Sequence, residues 1–159
     1  MEKTQGEGGA HRGHAMAAMK MQPIPVSFEE IVSSAPWEAM EKYSPDLVVG
    51  IARGGVILAA AAAFRMGSPL ETINASLYND EKPAKEKTGE LQLGKAPDVR
   101  GKKILLVDDV SNTGRTLEAV KAALLSAGAR EIRTFVYAGK ADFSCRAFEK
   151  CLRFPWEKQ

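Results

Sequence analysis

The sequence predicts an α/β domain built on a mostly parallel, twisted sheet with helices packed on its faces. Three observations point there. Short continuous apolar runs, DLVVGI at 46–51 and KILLV at 103–107, have the character of strands buried on both faces. Helical segments follow them, alanine-rich over 56–66 and amphipathic over about 115–126. The strand–helix alternation then runs on through the chain, the order that parallel sheets require. With 159 residues, 45% of them hydrophobic and 26% charged, the chain suits one core of this kind.

The elements can be justified in order. The first segment, residues 1–24, has no apolar period and is expected to be a disordered extension, with the domain over 25–159. Ser27, three residues before Glu30, forms a capping-box pattern that opens a helix at 28–32. Pro36 interrupts it, and a second helical piece covers 37–42. The strand at 46–51 runs into Gly54-Gly55 and the helix at 56–66. Residues 70–78 read as the second strand. Residues 79–100 are polar, with two prolines and two glycines, and read as a long surface loop of the kind that works as a lid. The third strand covers 103–107, with Asp108-Asp109 and a short loop after it. The helix at 115–126 stops at Gly128, and 131–137 is the fourth strand. A small hood, 139–159, ends in FPWEKQ.

Composition excludes several function classes. A formal net charge of +2 gives no electrostatic reason to expect nucleic acid or a membrane as partner. Two cysteines, Cys145 and Cys151, exclude a disulfide scaffold and a four-cysteine zinc site. The longest charge-free apolar run, 56–64, is too short to span a bilayer, and no secretion signal opens the chain, so a cytoplasmic location is expected. Both histidines, His11 and His14, lie in the first segment, which leaves a fold core without a catalytic triad or a histidine metal site.

The chemistry concentrates at two loops. In ILLVDDVSNTGRTL, 104–117, a buried strand delivers two adjacent carboxylates, and a small hydroxylated turn then enters a helix. Free N–H groups at the helix start, with the hydroxyls of Ser111, Thr113 and Thr116, suit a phosphate dianion. Asp108 and Asp109 suit vicinal hydroxyls or, through water, Mg²⁺. A sugar phosphate satisfies both halves. An ordinary capped helix would leave the acid pair unexplained. A phospho-accepting receiver domain carries its acidic pair after the first strand, whereas here the pair follows the third. The second loop, GIARGG at 50–55, combines glycines that let backbone amides approach a polyanion with the bidentate fork of Arg53. Both loops belong at the carboxyl ends of parallel strands, facing one crevice. GELQLGKA, 89–96, nearly spells a nucleotide P-loop, but it lacks the preceding buried strand and the closing Ser/Thr, and is read as chance.

Residues 108–116 resemble the phosphoribosyl-pyrophosphate signature of the type I phosphoribosyltransferases, and 50–55 resembles that family's pyrophosphate loop. FPWE, 154–157, resembles the end of the xanthine/guanine/hypoxanthine branch. The resemblance covers 26 to the C-terminus and implies the type I phosphoribosyltransferase fold. It implies transfer of a 5-phosphoribosyl group from phosphoribosyl pyrophosphate to a nucleobase, a 6-oxopurine in that branch, with release of pyrophosphate, as in purine salvage. Mg²⁺ is the implied cofactor, held by Asp108 and Asp109. Arg53, Asp108, Asp109 and Asn112 are the implied catalytic residues. Ala52, Arg53, Gly54 and Gly55 bind pyrophosphate. Asp108 and Asp109 bind the ribose, and Ser111, Asn112, Thr113, Gly114, Arg115 and Thr116 bind the 5′-phosphate. Lys140 and Leu152 belong to the base half. The loop 79–100 stands where the family has its flexible lid, with Lys82, Lys85, Lys87, Lys95 and Lys102 as cations that could reach pyrophosphate. A homodimer is the implied assembly.

Two positions depart from the branch. Asn112 replaces the aspartate that handles the purine N7 proton, so an amide stands where proton transfer is expected. Cys151 replaces the aromatic residue that stacks on the base, five residues before Trp156, leaving Phe148 or Phe154 as substitutes. These departures keep open an alternative, a non-catalytic sensor of phosphoribosyl pyrophosphate or a nucleotide on the same fold.

Overall fold

The computed structural model describes residues 22–78 and 87–158. In chain order the elements are β1 (Ile24–Pro25), α1 (Phe28–Ser34), α2 (Trp37–Tyr43), β2 (Leu47–Ala52), α3 (Val56–Met66), β3 (Leu70–Tyr78), β4 (Lys87–Leu93), β5 (Lys103–Ser111), α4 (Arg115–Ser126), β6 (Glu131–Gly139), β7 (Phe143–Arg146) and β8 (Leu152–Arg153). The main sheet has six strands in the order β4-β3-β2-β5-β6-β7. Its pairings are parallel except β3 with β4. The chain leaves β2 toward β3 on one side and returns to place β5 on the other. The carboxyl ends of β2 and β5 therefore flank the point where winding reverses, where α/β sheets bind ligands.

Side-chain alternation along the buried strands builds two cores, one per face. Leu47, Val49 and Ile51 of β2 and Ile104 and Leu106 of β5 pack with Leu117, Val120 and Leu124 of α4. Val48, Leu105, Val107, Phe135 and Tyr137 pack on the other face with Leu58, Ala59 and Ala62 of α3 and with Ile31 and Met40 of α1 and α2. The alanines of α3 let it lie close to the sheet: a Cβ added at Gly50 would stand 2.7 Å from that of Ala59. The capping box forms, with the Ser27 hydroxyl accepting the Glu30 N–H at 3.0 Å.

The structure corrects the sequence reading in four places. The loop expected over 79–100 contains β4, paired antiparallel to β3 with Ala75 opposite Leu93; Leu91 packs against the α4-side core, an apolar contact hidden by the polar composition around it. The third strand does not stop at Val107. It carries the acidic pair and ends at Ser111, because β6 is long enough to pair with Val110 and Ser111 through Ala138 and Gly139. The tail supplies two strands. Residues 140–142 double back so that β7 adds to the sheet parallel to β6, with the Asp142 carboxylate accepting the Thr134 N–H at 2.8 Å. Finally, the expected boundary at residue 24 falls inside a strand: Ile24 pairs with Leu152, tying the start of the domain to the hood. His11, His14, Lys82 and Lys85 lie outside the described residues. Among the described residues, no helix is long and apolar enough to cross a membrane.

Candidate active site

Two loops meet at the reversal point, and their contact is backbone against carboxylate. The turn after β2 holds Arg53, Gly54 and Gly55, with Gly55 at the start of α3 and a cis Ala52–Arg53 peptide. A Cβ at Gly54 would stand 2.5 Å from Asp109 Oδ2, and one at Gly55 would stand 2.8 Å from the Cα of Asp108. No other residue type permits this approach. The family-like glycines thus press the first loop against the acidic pair. Arg53 is exposed at the rim.

Asp108 and Asp109 follow each other in β5. The Asp108 Oδ1 accepts the Asp109 N–H at 2.9 Å, and the Asp109 Oδ1 accepts the Val110 N–H at 2.7 Å. Burial is the first cause that lifts both carboxyls above the ordinary carboxylate range; the charge of Asp109 adds to it for Asp108, and that of Glu157 for Asp109. Neither aspartate has an ion pair among the described residues. Two adjacent buried carboxyls repel each other when both are ionised, and a cation beside them would relieve that repulsion. Among the described residues no third Asp, Glu, His or Cys gathers with them into a metal cage. That donor set fits Mg²⁺, which keeps water and substrate oxygens and takes one or two carboxylates from the protein.

Beyond the acids, the chain turns through Asn112, Thr113 and Gly114 into α4. Asn112 and Thr113 are exposed. Gly114, at φ 80°, is the N-cap and brings no side chain to the first turn of the 12-residue helix. The Thr113 hydroxyl accepts the Arg115 N–H at 3.4 Å. The remaining amides of that turn form the anion-binding end of a helix. Ser111 differs from the rest of the expected phosphate set: it is 4% exposed, and its hydroxyl has no hydrogen-bond partner among the described residues.

A cleft of about 880 Å³ opens beside the acids, lined by Arg53, Gly54 and Asp109 on one side and by Cys151, Leu152, Arg153, Trp156, Glu157 and Lys158 on the other. Pro23 and Ile57 complete it. Phe154 is 3% exposed and stacks under Trp156, with centroids 4.8 Å apart and planes within 8°. It belongs to the core and supports Trp156, which is the aromatic ring that reaches the cleft. Phe148 does not line it. Of the two residues expected in the base half, Leu152 lines the cleft. Lys140 lies outside that cleft, lining a separate hollow of about 240 Å³ with Thr113, Gly114, Glu118, Lys121 and Asp142. Of the expected lid cations, Lys95 lines a hollow with Glu71, Asp98 and Arg100, and the Lys102 ammonium donates to the Asp98 carbonyl at 2.9 Å.

The phosphoribosyl transferase domain family matches residues 22–146, which spans both loops and the acidic pair. The chain belongs to the type I phosphoribosyltransferase family. Among solved phosphoribosyltransferases, the purine phosphoribosyltransferase of Pyrococcus horikoshii superposes with a TM-score of 0.74 at 29% identity, covering 87% of this chain and 96% of that one. An orotate phosphoribosyltransferase of Saccharolobus solfataricus is 31% identical over 134 residues, 83% of this chain and 64% of the relative. A bifunctional protein PyrR of a Geobacter species is 34% identical over 113 residues, 64% of this chain and 63% of the relative. A xanthine-guanine phosphoribosyltransferase of Desulfotalea psychrophila is 35% identical over 110 residues, 67% of this chain and 66% of the relative. The chain thus spans under two thirds of its orotate and PyrR relatives. Pro23, Ile57, Arg153, Glu157 and Lys158 line the cleft without being expected there from the sequence. Glu157 was within reach as the last residue of FPWE; its Oε2 accepts the Phe154 N–H at 2.8 Å and so shapes the hood turn. Nothing in the local sequence marks Pro23 or Arg153, whose positions come from the β1–β8 pairing.

Proposed function

We propose that the protein transfers the 5-phosphoribosyl group of phosphoribosyl pyrophosphate to a nucleobase, a 6-oxopurine, with release of pyrophosphate. The observation that carries this reading is the contact of Gly54 with the Asp109 carboxylate, which sets a polyanion loop and a hydroxyl-and-cation acceptor on one rim. A cleft of about 880 Å³ beside it is of the size that takes a nucleotide.

In this reading the bond from ribose C1 to the pyrophosphate oxygen breaks as a ring nitrogen of the base bonds to C1, and the base gives up its proton to solvent. Arg53 and the amides around Gly54 and Gly55 donate to the departing pyrophosphate. Asp108 and Asp109 accept from the ribose hydroxyls and would hold Mg²⁺. When bound, the ion supplies positive charge for the leaving group. The 112–116 segment, which includes the first turn of α4, holds the 5′-phosphate and fixes the sugar's orientation. Trp156, Ile57 and Leu152 offer the base an apolar slot. Asn112 hydrogen-bonds the base without taking its proton, and Lys140, outside the cleft, takes no part in holding the base. Support for a purine comes from FPWE and from the purine-named structural relative; the orotate-named relative makes orotate the first competitor.

The test is nucleotide formation from phosphoribosyl pyrophosphate and Mg²⁺ across xanthine, guanine, hypoxanthine, adenine, uracil and orotate. Product with a 6-oxopurine is expected; product with orotate alone overturns the purine assignment. A second reading, a sensor of phosphoribosyl pyrophosphate or nucleotide that regulates a partner, is favoured by the amide at Asn112 and by Cys151 at the cleft wall. Tight binding of phosphoribosyl pyrophosphate without turnover on any base selects it.

A further inference from the structure

One carboxylate away from the cleft joins three elements behind its far wall. The Ser27 hydroxyl fixes the Glu30 N–H, but the Glu30 carboxylate does not complete the capping box by reaching back to the N-cap amide. Its Oε1 instead accepts from the Tyr137 hydroxyl at 2.7 Å and from Arg146 Nη1 at 3.3 Å, tying α1, β6 and β7 at a single oxygen. None of Glu30, Tyr137 and Arg146 lines the cleft. Both sides of the junction nevertheless lead to one ring that does. The Tyr137 ring meets Phe154 edge-on, with centroids 5.6 Å apart and planes at 80°, and Phe154 stacks on Trp156. On the other side α1 carries Phe28, whose ring centre stands 5.9 Å from that of Trp156. Phe28 is 53% exposed, so no core holds it and its place follows from that of α1.

We propose that Glu30 and Tyr137 are positioning residues for the base: acting through Phe28 and Phe154, they fix Trp156 at the cleft wall and so set the affinity for a planar ring. The assignment rests on the reading of Trp156 as part of the base slot. Aromatic contacts alone tolerate a range of offsets. A hydrogen bond from a hydroxyl to a carboxylate is short and directional, and at the far end of Tyr137 it selects one of them. Burial, and then the bond to Glu30, lift the Tyr137 phenol above its ordinary 10.0, so it stays a donor. Arg146 holds the carboxylate from the other side, and its Nη2 reaches on to Glu149, in the segment between β7 and β8. The hood is thus referred to the sheet through Glu30 as well as through the short β1–β8 pairing.

Tyr137→Phe tests this, because it removes the hydroxyl and keeps the ring. The Glu30 side chain is 42% exposed and retains Arg146 and water as partners, so the fold is expected to survive. In the full chain KM for the base should rise about 3-fold or more, part of the roughly 10-fold that one aromatic contact is worth. The values of kcat and of KM for phosphoribosyl pyrophosphate should not move. Glu30→Ala should behave alike, and Glu30→Gln, which keeps an acceptor at the same reach, should recover most of the loss. In a Trp156→Ala background Tyr137→Phe should add nothing, since both act through one ring. Effects that multiply in that double variant overturn the proposal. A readout without turnover runs beside the kinetics. Trp37 and Trp156 are the two tryptophans, so Trp37→Phe leaves Trp156 as the sole indole emitter. Tyr137→Phe should then make its fluorescence easier to quench with acrylamide, and unchanged quenching also overturns the proposal. A wild type that turns over no base removes the functional reading, and the quenching then decides the positioning of the ring by itself.

Discussion

The two halves of the cleft are built in opposite ways. The sugar-phosphate half is backbone and carboxylate at the ends of β2 and β5, the two central strands, with cores packed on both faces behind it. The base half is side chains from the two ends of the described chain, held by the two-residue pairing of β1 with β8 and by a run of rings from Tyr137 through Phe154 to Trp156. The first half inherits its geometry from the sheet. The second depends on a few local contacts, and Cys151, one of the two departures from the family pattern, stands there. The contrast teaches that the sheet sets the geometry of one half, while a few side-chain contacts set that of the other.

Breaking the rigid half should cost most. Asp109→Ala removes the carboxylate that faces both loops and is expected to lower kcat/KM by about 10³-fold or more, while raising the melting temperature because a buried, repelled charge is gone. Paired kinetics and calorimetry check both signs. Gly54→Ala places a methyl group against the Asp109 carboxylate and should lower turnover about 10²-fold by displacing the acid or the loop. Circular dichroism should stay unchanged, since the cores lie elsewhere. Full activity in this variant would show that the close approach is incidental.

The soft half should respond more mildly and more selectively. Trp156→Ala is expected to raise KM for the base about 10-fold, the scale of one lost aromatic contact, with KM for phosphoribosyl pyrophosphate unchanged. If both constants rise together, the two halves are not separable. The smallest effect is on stability. With both acids lifted above the ordinary carboxyl pKa of 3.8, the folded chain holds more protons than the unfolded one between that value and the raised ones. Stability should therefore fall as pH rises through that window and level off above it. Thermal melts from about pH 5 to about pH 8 should show this slope, reduced in Asp108→Asn and reduced again by saturating Mg²⁺.

The same contrast explains what could be read in advance. The parallel sheet, its central strands and both loops were legible because apolar runs, glycines and paired acids act through neighbours in sequence. Two departures came from strand pairing, which composition alone does not reveal. The extension of β5 to Ser111 depends on how far β6 runs, and the strand at 87–93 depends on β3 offering an open edge. Lys140 shows the limit within the site. It follows β6 with Gly139 blurring the register, and a turn at 140–142 shaped by Asp142 and Thr134 carries it away from the cleft. Pro23 and Arg153 were out of reach, since only the pairing of distant segments brings them to the cleft.

The β1–β8 ladder has a kinetic consequence. It joins residues 24 and 152, so nearly the whole described chain must be in place before it can form, and only a few hydrogen bonds reward its closure. Such a clasp opens at far lower free energy than the centre of a sheet. The amides of Ile24 and Val26, which donate to the Cys151 and Arg153 carbonyls at 2.8 and 2.9 Å, should exchange with solvent well before those of β5. The floor of the cleft is then a permanent surface and its far wall a fluctuating one. A ligand that touches only the floor meets a finished site, whereas one that touches the wall must also hold it shut.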